Sequence, residues 1–425
     1  MKGRAFSDTP PHPNPSPSRG GASTTHHIFT SVRYRAPMSS MGRIKAPTDR
    51  RGAARVSLAA VPASPQVRVI ARLAATAVEA LGPEWNQLAA EASEPNVFAE
   101  HWFVAAALST LPAGADVRLL EVRRGDRLIG LLLVEVALFY ARLPVRFTRN
   151  WCHDQAFLGT PLVAAGEESA FWTAALAALD AADWAPNFLH LRRIGEGGPI
   201  HRGLAGAALV HRYMRAFLRS DLDPAAYYAH AVRQKKRKEL RRLRNRLAEL
   251  GTLESRILDD GAELEAWCNA FLALEQAGWK GREGTALACN QAGAQFFHEA
   301  LAGAWDAGRL QFRRLDLDGR PLAMLVNFLD PPGGFSFKTA FDEAYAQYSP
   351  GVLLQIDNLD ILERPDIAWM DSCAMQDHPM IDSLWTERRA IVRVTVPLAG
   401  ARRRIVHAIC RAVEGSWRAL KGRKL

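Results

Sequence analysis

Along this chain the apolar positions fall into short alternating runs and longer amphipathic stretches that follow one another in a repeated order. Structure is expected to begin near Val67 with VRVIARL, a strand, followed by helices over Pro83–Glu91 and about Ala99–Leu111. VRLLEVR and RLIGLLLVEVAL then read as two strands joined at Arg124-Gly125-Asp126, a turn-type sequence. Further strand patterns cover Val145–Trp151 and Phe188–Ile194, with a helix between them from Glu167 to Asp183. Downstream, a helix over Gln291–Ala307 precedes a hairpin, LQFRRLDLDGRPLAMLVNFL, turning at Asp318-Gly319. Shifting the chain by 193 residues lays Phe103 on Phe296, Leu108 on Leu301, Leu119 on Phe312 and Arg127 on Arg320. Equal helix-to-hairpin spacing in both halves predicts a duplicated lobe. The expected fold class is therefore α/β (α+β), with two tandem lobes, each a mixed sheet flanked by helices.

Between the halves runs AYYAHAVRQKKRKELRRLRNRLAELG, read as one basic connecting helix over 226–251 that ends at Gly251. Val232, Leu240, Leu243, Leu247 and Leu250 form a narrow apolar stripe on it. Such a helix can be a solvated connector packed on one face, or can meet RNA, an anionic lipid surface or cofactor phosphates. The tail 401–425 is a second basic amphipathic helix, for which docking on the protein and lying on a membrane are both open. Residues 1–65, rich in Pro, Ser, Gly and Arg, lack periodic apolar positions. They are expected to be a disordered extension or an over-extended reading frame, with Met38 and Met41 as alternative starts; their Arg- and Ser-rich, acid-poor character also fits a targeting segment. The lobes are assigned to 66–225 and 252–400.

Composition changes this picture little, except in charge. The net charge of +10 is concentrated: ten Lys/Arg against two Asp/Glu in 1–65, nine against two in 233–250, and eight against one in the tail. Without those three stretches the chain stands at −12. The globular body is acidic, so the basic balance does not point to a nucleic-acid-binding fold. Five widely spaced cysteines without a CxxC favour a reducing compartment and argue against a disulfide framework or a metal site. The longest apolar run, from Leu128, is short for a bilayer and carries Glu135.

Candidate chemistry centres on Phe335–Leu354, FSFKTAFDEAYAQYSPGVLL. Phe335, Phe337, Thr339 and Phe341 alternate as in a half-buried strand, and Ser349-Pro350-Gly351 reads as a helix start with Ser at the N-cap. A strand feeding a helix through that sequence would expose backbone N–H groups at the positive end of the helix dipole, an anion site. Upstream lies the Gly-dense loop from Glu275 to Ala286, containing Trp279-Lys280-Gly281, and downstream lies DSCAMQDHPMIDSLWTERR from Asp371. Asp342 and Glu343 at the strand end, Asp371 and His378 are the candidates for proton transfer. Asp342 can equally cap or pair with Lys338. Tyr348, like Tyr345, can protonate a leaving thiolate or simply pack. Cys373 lies five residues from His378, but nothing in the sequence orients a Cys–His pair.

Taken together, the WKG…GTA loop, the strand with K-x-x-x-D-E and SPG, and the late Asp–His–Pro segment resemble the CelD-like acetyltransferases associated with cellulose biosynthesis, a branch of the GNAT superfamily. The tandem lobes are similar to the double-GNAT arrangement of Fem-type aminoacyltransferases. The resemblance covers about residues 66 to 400. It implies an N- or O-acyltransferase acting on a sugar, polysaccharide precursor or related small molecule, with acetyl-CoA or another acyl-CoA as co-substrate and no metal. It also implies a cofactor strand over Gly334–Phe341 and a phosphate-binding helix start at Ser349–Gly351. Phe341, Ser349, Gly351, Val352 and Leu353 would hold the cofactor, and Trp279, Lys280 and Lys338 would bound the substrate. One departure from the superfamily pattern is plain: Ser-Pro-Gly has fewer glycines than the usual pyrophosphate loop, and Pro350 has no N–H. Two alternatives stay open, an aminoacyl-tRNA-dependent transferase and a non-catalytic scaffold in envelope-polysaccharide assembly. The expected location is cytoplasmic or peripheral to the inner membrane, with a polysaccharide-synthesis partner and no nucleic acid other than tRNA under the first alternative.

Overall fold

A computed structural model describes residues 66–112 and 116–422, with side chains through 416. The expectation for 1–65 lies outside the described residues. The first half runs β1 (Val67–Leu73), α1 (Ala74–Ala90), α2 (His101–Thr110), β2 (Arg118–Arg124), β3 (Arg127–Ala137), β4 (Phe147–Asn150), the two-residue β5 (Leu162–Val163), α3 (Glu168–Ala181), β6 (Phe188–Gly195), α4 (Pro199–Gly203) and β7 (Ala208–Leu218). Two helices follow, α5 (Pro224–Ala231) and α6 (Gln234–Ala248). The second half runs β8 (Leu253–Ile257), α7 (Leu264–Ala277), α8 (Trp279–Arg282), α9 (Gln291–Asp306), β9 (Leu310–Leu317), β10 (Arg320–Asp330), β11 (Gly333–Phe341), α10 (Pro350–Asp357), β12 (Trp369–Asp371), β13 (Glu387–Pro397) and α11 (Ala401–Gly422).

The strands form one continuous mixed sheet in the order β1-β2-β3-β4-β6-β13-β7-β12-β11-β10-β9-β8, with β5 beside β3. That order reads the same from both ends. In each half the pair flanking the centre is parallel, β4 with β6 and β11 with β12, while the remaining ladders along the order are antiparallel. The expected duplication is therefore visible, and its axis passes through the β13–β7 ladder. The 193-residue shift holds in space as well: Arg127 and Arg320 each open the second strand of a hairpin. Phe103 and Phe296, equivalent under the shift, meet edge-to-face across the axis at 5.4 Å.

Three expectations need correction. The 66–225 and 252–400 lobes are not separate units, because β13 from the second half lies between β6 and β7 of the first. The first helix begins at Ala74 rather than Pro83. Ala77, Leu81, Trp85 and Leu88 give it a buried stripe that outweighs the one hydrogen bond Pro83 cannot donate. Lastly, the basic connector is two helices: Val232 is extended and buried against Tyr227 and Leu218, which breaks the run before α6 starts. The tail docks by one face, where His407 meets the Thr395 hydroxyl at 2.9 Å and Cys410 is buried, leaving Ile405 and Ile409 exposed.

At the centre, Arg215 on β7 and Arg389 on β13 stand directly opposite each other in the ladder. Like charges in that position repel. Asp371, fully buried on β12, accepts from Arg215 at 2.5 Å and from Arg389 at 3.0 Å through the same oxygen, and its other oxygen accepts the Cys373 N–H at 2.9 Å. Removing one partner of a buried charge group leaves the others uncompensated. Asp371→Asn should therefore destabilise the fold by about 3–5 kcal/mol, read as a lower denaturant midpoint; a loss below about 1 kcal/mol would show that the two guanidinium groups do not need the carboxylate.

Candidate active site

The site is built where β11 leaves β12. The two strands pair only over Gly333–Phe335 with Trp369–Asp371, so from Ser336 to Phe341 that edge of β11 has no strand beside it among the described residues. On the opposite edge the register with β10 slips between Val326 and Asn327, leaving Phe337 as the extra residue of a β-bulge. Lys338 follows the bulge directly. Its ammonium sits 5.2 Å from the Phe337 ring and 5.7 Å from that of Phe157. Burial pushes the Lys338 amine down to about 8, against the opposing pull of Glu275.

Glu275 lies in the last turn of α7 and is buried. Its carboxylate accepts Lys280 Nζ at 2.8 Å and the Leu287 N–H at 2.9 Å. Burial alone would raise this carboxyl, but Lys280 and Lys338 overcome it and hold Glu275 below the ordinary carboxylate range. The loop carrying Lys280 is tightly folded: α8 turns it, and the Lys280 carbonyl accepts the N–H groups of Thr285 and Ala286 at 2.8 and 3.2 Å. Gly281 is required there, because a Cβ would lie 1.7 Å from the Gln276 carbonyl oxygen. Trp279, half exposed, donates its N–H to Glu343 at 2.7 Å.

His378 reaches the same neighbourhood from the loop after β12. Burial, with Lys280 adding to it and Asp382 opposing, lowers its pKa, so the ring is neutral at neutral pH. Its Nδ1 is buried without a hydrogen-bond partner among the described residues. Pro379 does not open a helix as expected; a turn and the short 3-10 segment Ile381–Ser383 follow. Lys338 and Lys280 thus share Glu275 as their counter-charge, and neutral His378 lies within the field of Lys280.

Other expected site residues are placed differently. Asp342 caps the 3-10 turn Glu343–Tyr348 through the Ala344 N–H at 3.0 Å and pairs with Arg320 at 2.7 Å, not with Lys338. Asp371 belongs to the central ion group. Glu343 is drawn below the carboxylate range by Arg282, to which it bonds at 2.7 Å. Tyr345 and Tyr348 pack with Phe341 against the apolar stripe of α6. Cys373 is buried, and burial together with Asp371 pushes its thiol well up, away from thiolate chemistry.

The expected anion site at α10 also changes. Ser349 has a left-handed backbone (φ 54°) and makes no side-chain cap. Its carbonyl accepts the Val352 and Leu353 N–H groups at 2.9 and 3.1 Å. Pro350 has none to give, so only the Gly351 amide remains uncommitted in the first turn. Gly351 is buried, and a Cβ there would touch Met380 Sδ and the Phe341 ring, both at 3.4 Å. Leu353 is core, and Val352 is half-buried beside it. At the start of α10 the N–H of buried Gly351 is thus the one first-turn amide left for an anion, fewer than the expected site supplies. The sequence pattern does not mark out Arg215 or Arg389, and it shows Glu275 only as the first residue of the Gly-dense loop. Glu275 carries the one available signal, an acidic residue just ahead of the WKG loop.

Residues 234–374 match the family described as an acetyltransferase (GNAT) domain, which takes in α6, Glu275, Lys280 and Lys338. The structure of FemX is similar, with a TM-score of 0.51 at 9% identity, covering 78% of this chain and 98% of that one. The C-terminal domain of a putative lysylphosphatidylglycerol synthetase from Agrobacterium fabrum aligns with a TM-score of 0.48 at 11% identity over 79% and 96% of the two chains. A tandem GNAT protein from the clavulanic acid biosynthesis pathway aligns at 0.42 and 16%, over 79% and 100%. No curated protein matches the chain in sequence. The chain thus has a fold similar to that of FemX, and its second half contains the stretch that matches a GNAT acetyltransferase domain.

The Lys338 environment disfavours the charged amine, and stability should register that. Between about pH 8 and the unfolded value near 10.5 the unfolded chain holds more protons, so folding stability rises with pH across that window. Lys338→Met should melt at or above the wild type at pH 7 and lose this rise. A variant that melts several degrees lower would show that the ammonium stabilises the fold.

Proposed function

We propose that the chain is an acyltransferase that moves an acyl group from a thioester, acetyl-CoA or another acyl-CoA, to an amino or hydroxyl group of a sugar, a polysaccharide precursor or a related small molecule. The observation that carries this reading is the unpaired edge of β11 beside Lys338, inside the residues that match the GNAT acetyltransferase domain. The acyl class follows from that match. The cellulose-linked acceptor rests on the motif resemblance alone.

Acyl transfer asks for three things: donors toward the carbonyl oxygen, a base for the nucleophile's proton, and an acid for the leaving thiolate. The free edge of β11 from Ser336 onward supplies backbone donors in a fixed array. Neutral His378, with Nδ1 unpartnered among the described residues, takes the proton as the acceptor's nitrogen or oxygen bonds to the acyl carbon. When the C–S bond breaks, the Lys338 ammonium gives its proton to sulfur, and a pKa near 8 suits that exchange at neutral pH. Glu275 and Lys280 hold this arrangement, and half-exposed Trp279 bounds the acceptor side. We assign the chain to the cytoplasm or the inner-membrane periphery. Among the described residues, no helix is long and apolar enough to cross a membrane.

A second reading has its own observation: the cations of α6, at the start of the matched domain, suit an aminoacyl donor carried on tRNA. Thiol release from acetyl-CoA with a panel of amino sugars, set against transfer from aminoacyl-tRNA, separates the two. With acetyl-CoA, kcat/KM should be level from below pH 6.5 up to about 8, since His378 must be neutral and Lys338 charged, and should fall above that. Lys338→Met should remove the upper limb, and His378→Asn should lower kcat by about 10²–10⁴-fold. Turnover with aminoacyl-tRNA alone would move the assignment to the second reading. A chain that binds and turns over neither donor would be the scaffold of an envelope-polysaccharide assembly.

A further inference from the structure

Beside α10 lies a second concavity that acyl transfer leaves unused. The first three turns of α6 and the flank of α10 bearing Leu353 and Ile356 line an open cleft of about 400 Å³, within the size of small-molecule sites. Arg237, Lys238, Arg241 and Arg244 line it, on one face of the helix by their spacing. Arg244 is answered by a carboxylate, bonding Asp357 twice at 2.6 and 3.0 Å. The other three have no ion-pair partner among the described residues. Arg237 Nε is moreover buried with no hydrogen-bond partner. A buried donor left unmade costs free energy, and Arg237 and Arg241, four apart, repel. Tyr228 and Gln234 add uncharged donors at the rim.

We propose that this cleft is a phosphate-binding site: it takes a phosphomonoester or diphosphate group on the Arg237, Lys238 and Arg241 cations, with the attached apolar or planar portion against Leu353 and Ile356. A phosphate has the charge to answer three cations and the oxygen geometry to accept from guanidinium and amine together. Both a soluble nucleotide and a phospholipid headgroup present this chemistry. The site does not depend on the acyl-transfer reading; a chain that binds the probe but transfers no acyl group keeps the cleft and loses that function.

The test uses the full chain and two probes, adenosine 3′,5′-bisphosphate by calorimetry and phosphatidylglycerol-containing against pure phosphatidylcholine vesicles by co-sedimentation. At least one anionic probe should bind the wild type. Replacing Arg237, Lys238 and Arg241 together by Gln should weaken it by about ten-fold or more. Replacing Lys235, Arg242 and Arg246 by Gln removes equal charge from exposed positions that do not line the cleft and should change affinity by less than about two-fold. Bisphosphate binding assigns a nucleotide-like ligand, and binding to the anionic vesicles alone assigns a lipid headgroup. Equal losses in the two triple variants, or no binding of either probe, would each overturn the cleft. Thermal melts of both variants confirm that the comparison is made on folded protein.

Discussion

One buried carboxylate holds the two halves in register. Asp371 answers two guanidinium groups that face each other across the central ladder, one contributed by each half of the chain. Without it, β7 and β13 would bring like charges together with Arg215 fully buried and Arg389 mostly so. The desolvation of three charged groups is severe and is recovered only with all three present and hydrogen-bonded. The surroundings complete the enclosure: Arg389 lies over the Trp369 ring at 5.2 Å, and Arg215 also donates to the Phe157 carbonyl at 2.9 Å.

That arrangement also positions the chemistry. β12 is only three residues long and is tied to β7 on one side and β11 on the other. As β12 ends in the ion group, β11 continues paired with β10 alone, and the bulge at Phe337 sets Lys338 beside Glu275 and Lys280. The depressed Lys338 amine and the neutral His378 ring thus stem from one cause, burial near the lobe junction beside other cations. The same burial raises the Cys373 thiol and removes it from the reacting groups.

Much of the fold was legible because two short signals repeat. The hairpins over β2–β3 and β9–β10, and the helices that precede them, have the same spacing in both halves, and Phe103 and Phe296 are in contact where the shift predicts equivalence. The central strands were not legible. β7 carries His211, Arg212 and Arg215, and β13 carries Arg388, Arg389 and Arg393, so both look like exposed charged segments until their buried partner is known. Ser349 misled for a related reason: a Ser-Pro-Gly run predicts a side-chain cap, but a 3-10 turn delivers the chain in a left-handed conformation and its carbonyl does the capping. The candidate site was half legible. Lys280, Lys338 and His378 are residue types that attract attention, whereas Glu275 matters only through a pairing the sequence does not display.

The strand order has a consequence for how the chain comes off the ribosome. β7 has two neighbours in the sheet, β12 and β13, and both are made more than 140 residues after it. During synthesis the first half can close β1 to β4 with β6, but β7 emerges with no ladder on either side and must wait for the far end of the chain. Contacts of such sequence separation form late and slowly, and an unpaired strand is sticky while it waits. The two halves, though repeats of one plan, are thus bound to fold as a single cooperative unit, and a stalled or truncated chain leaves an open sheet edge to be shielded by a chaperone.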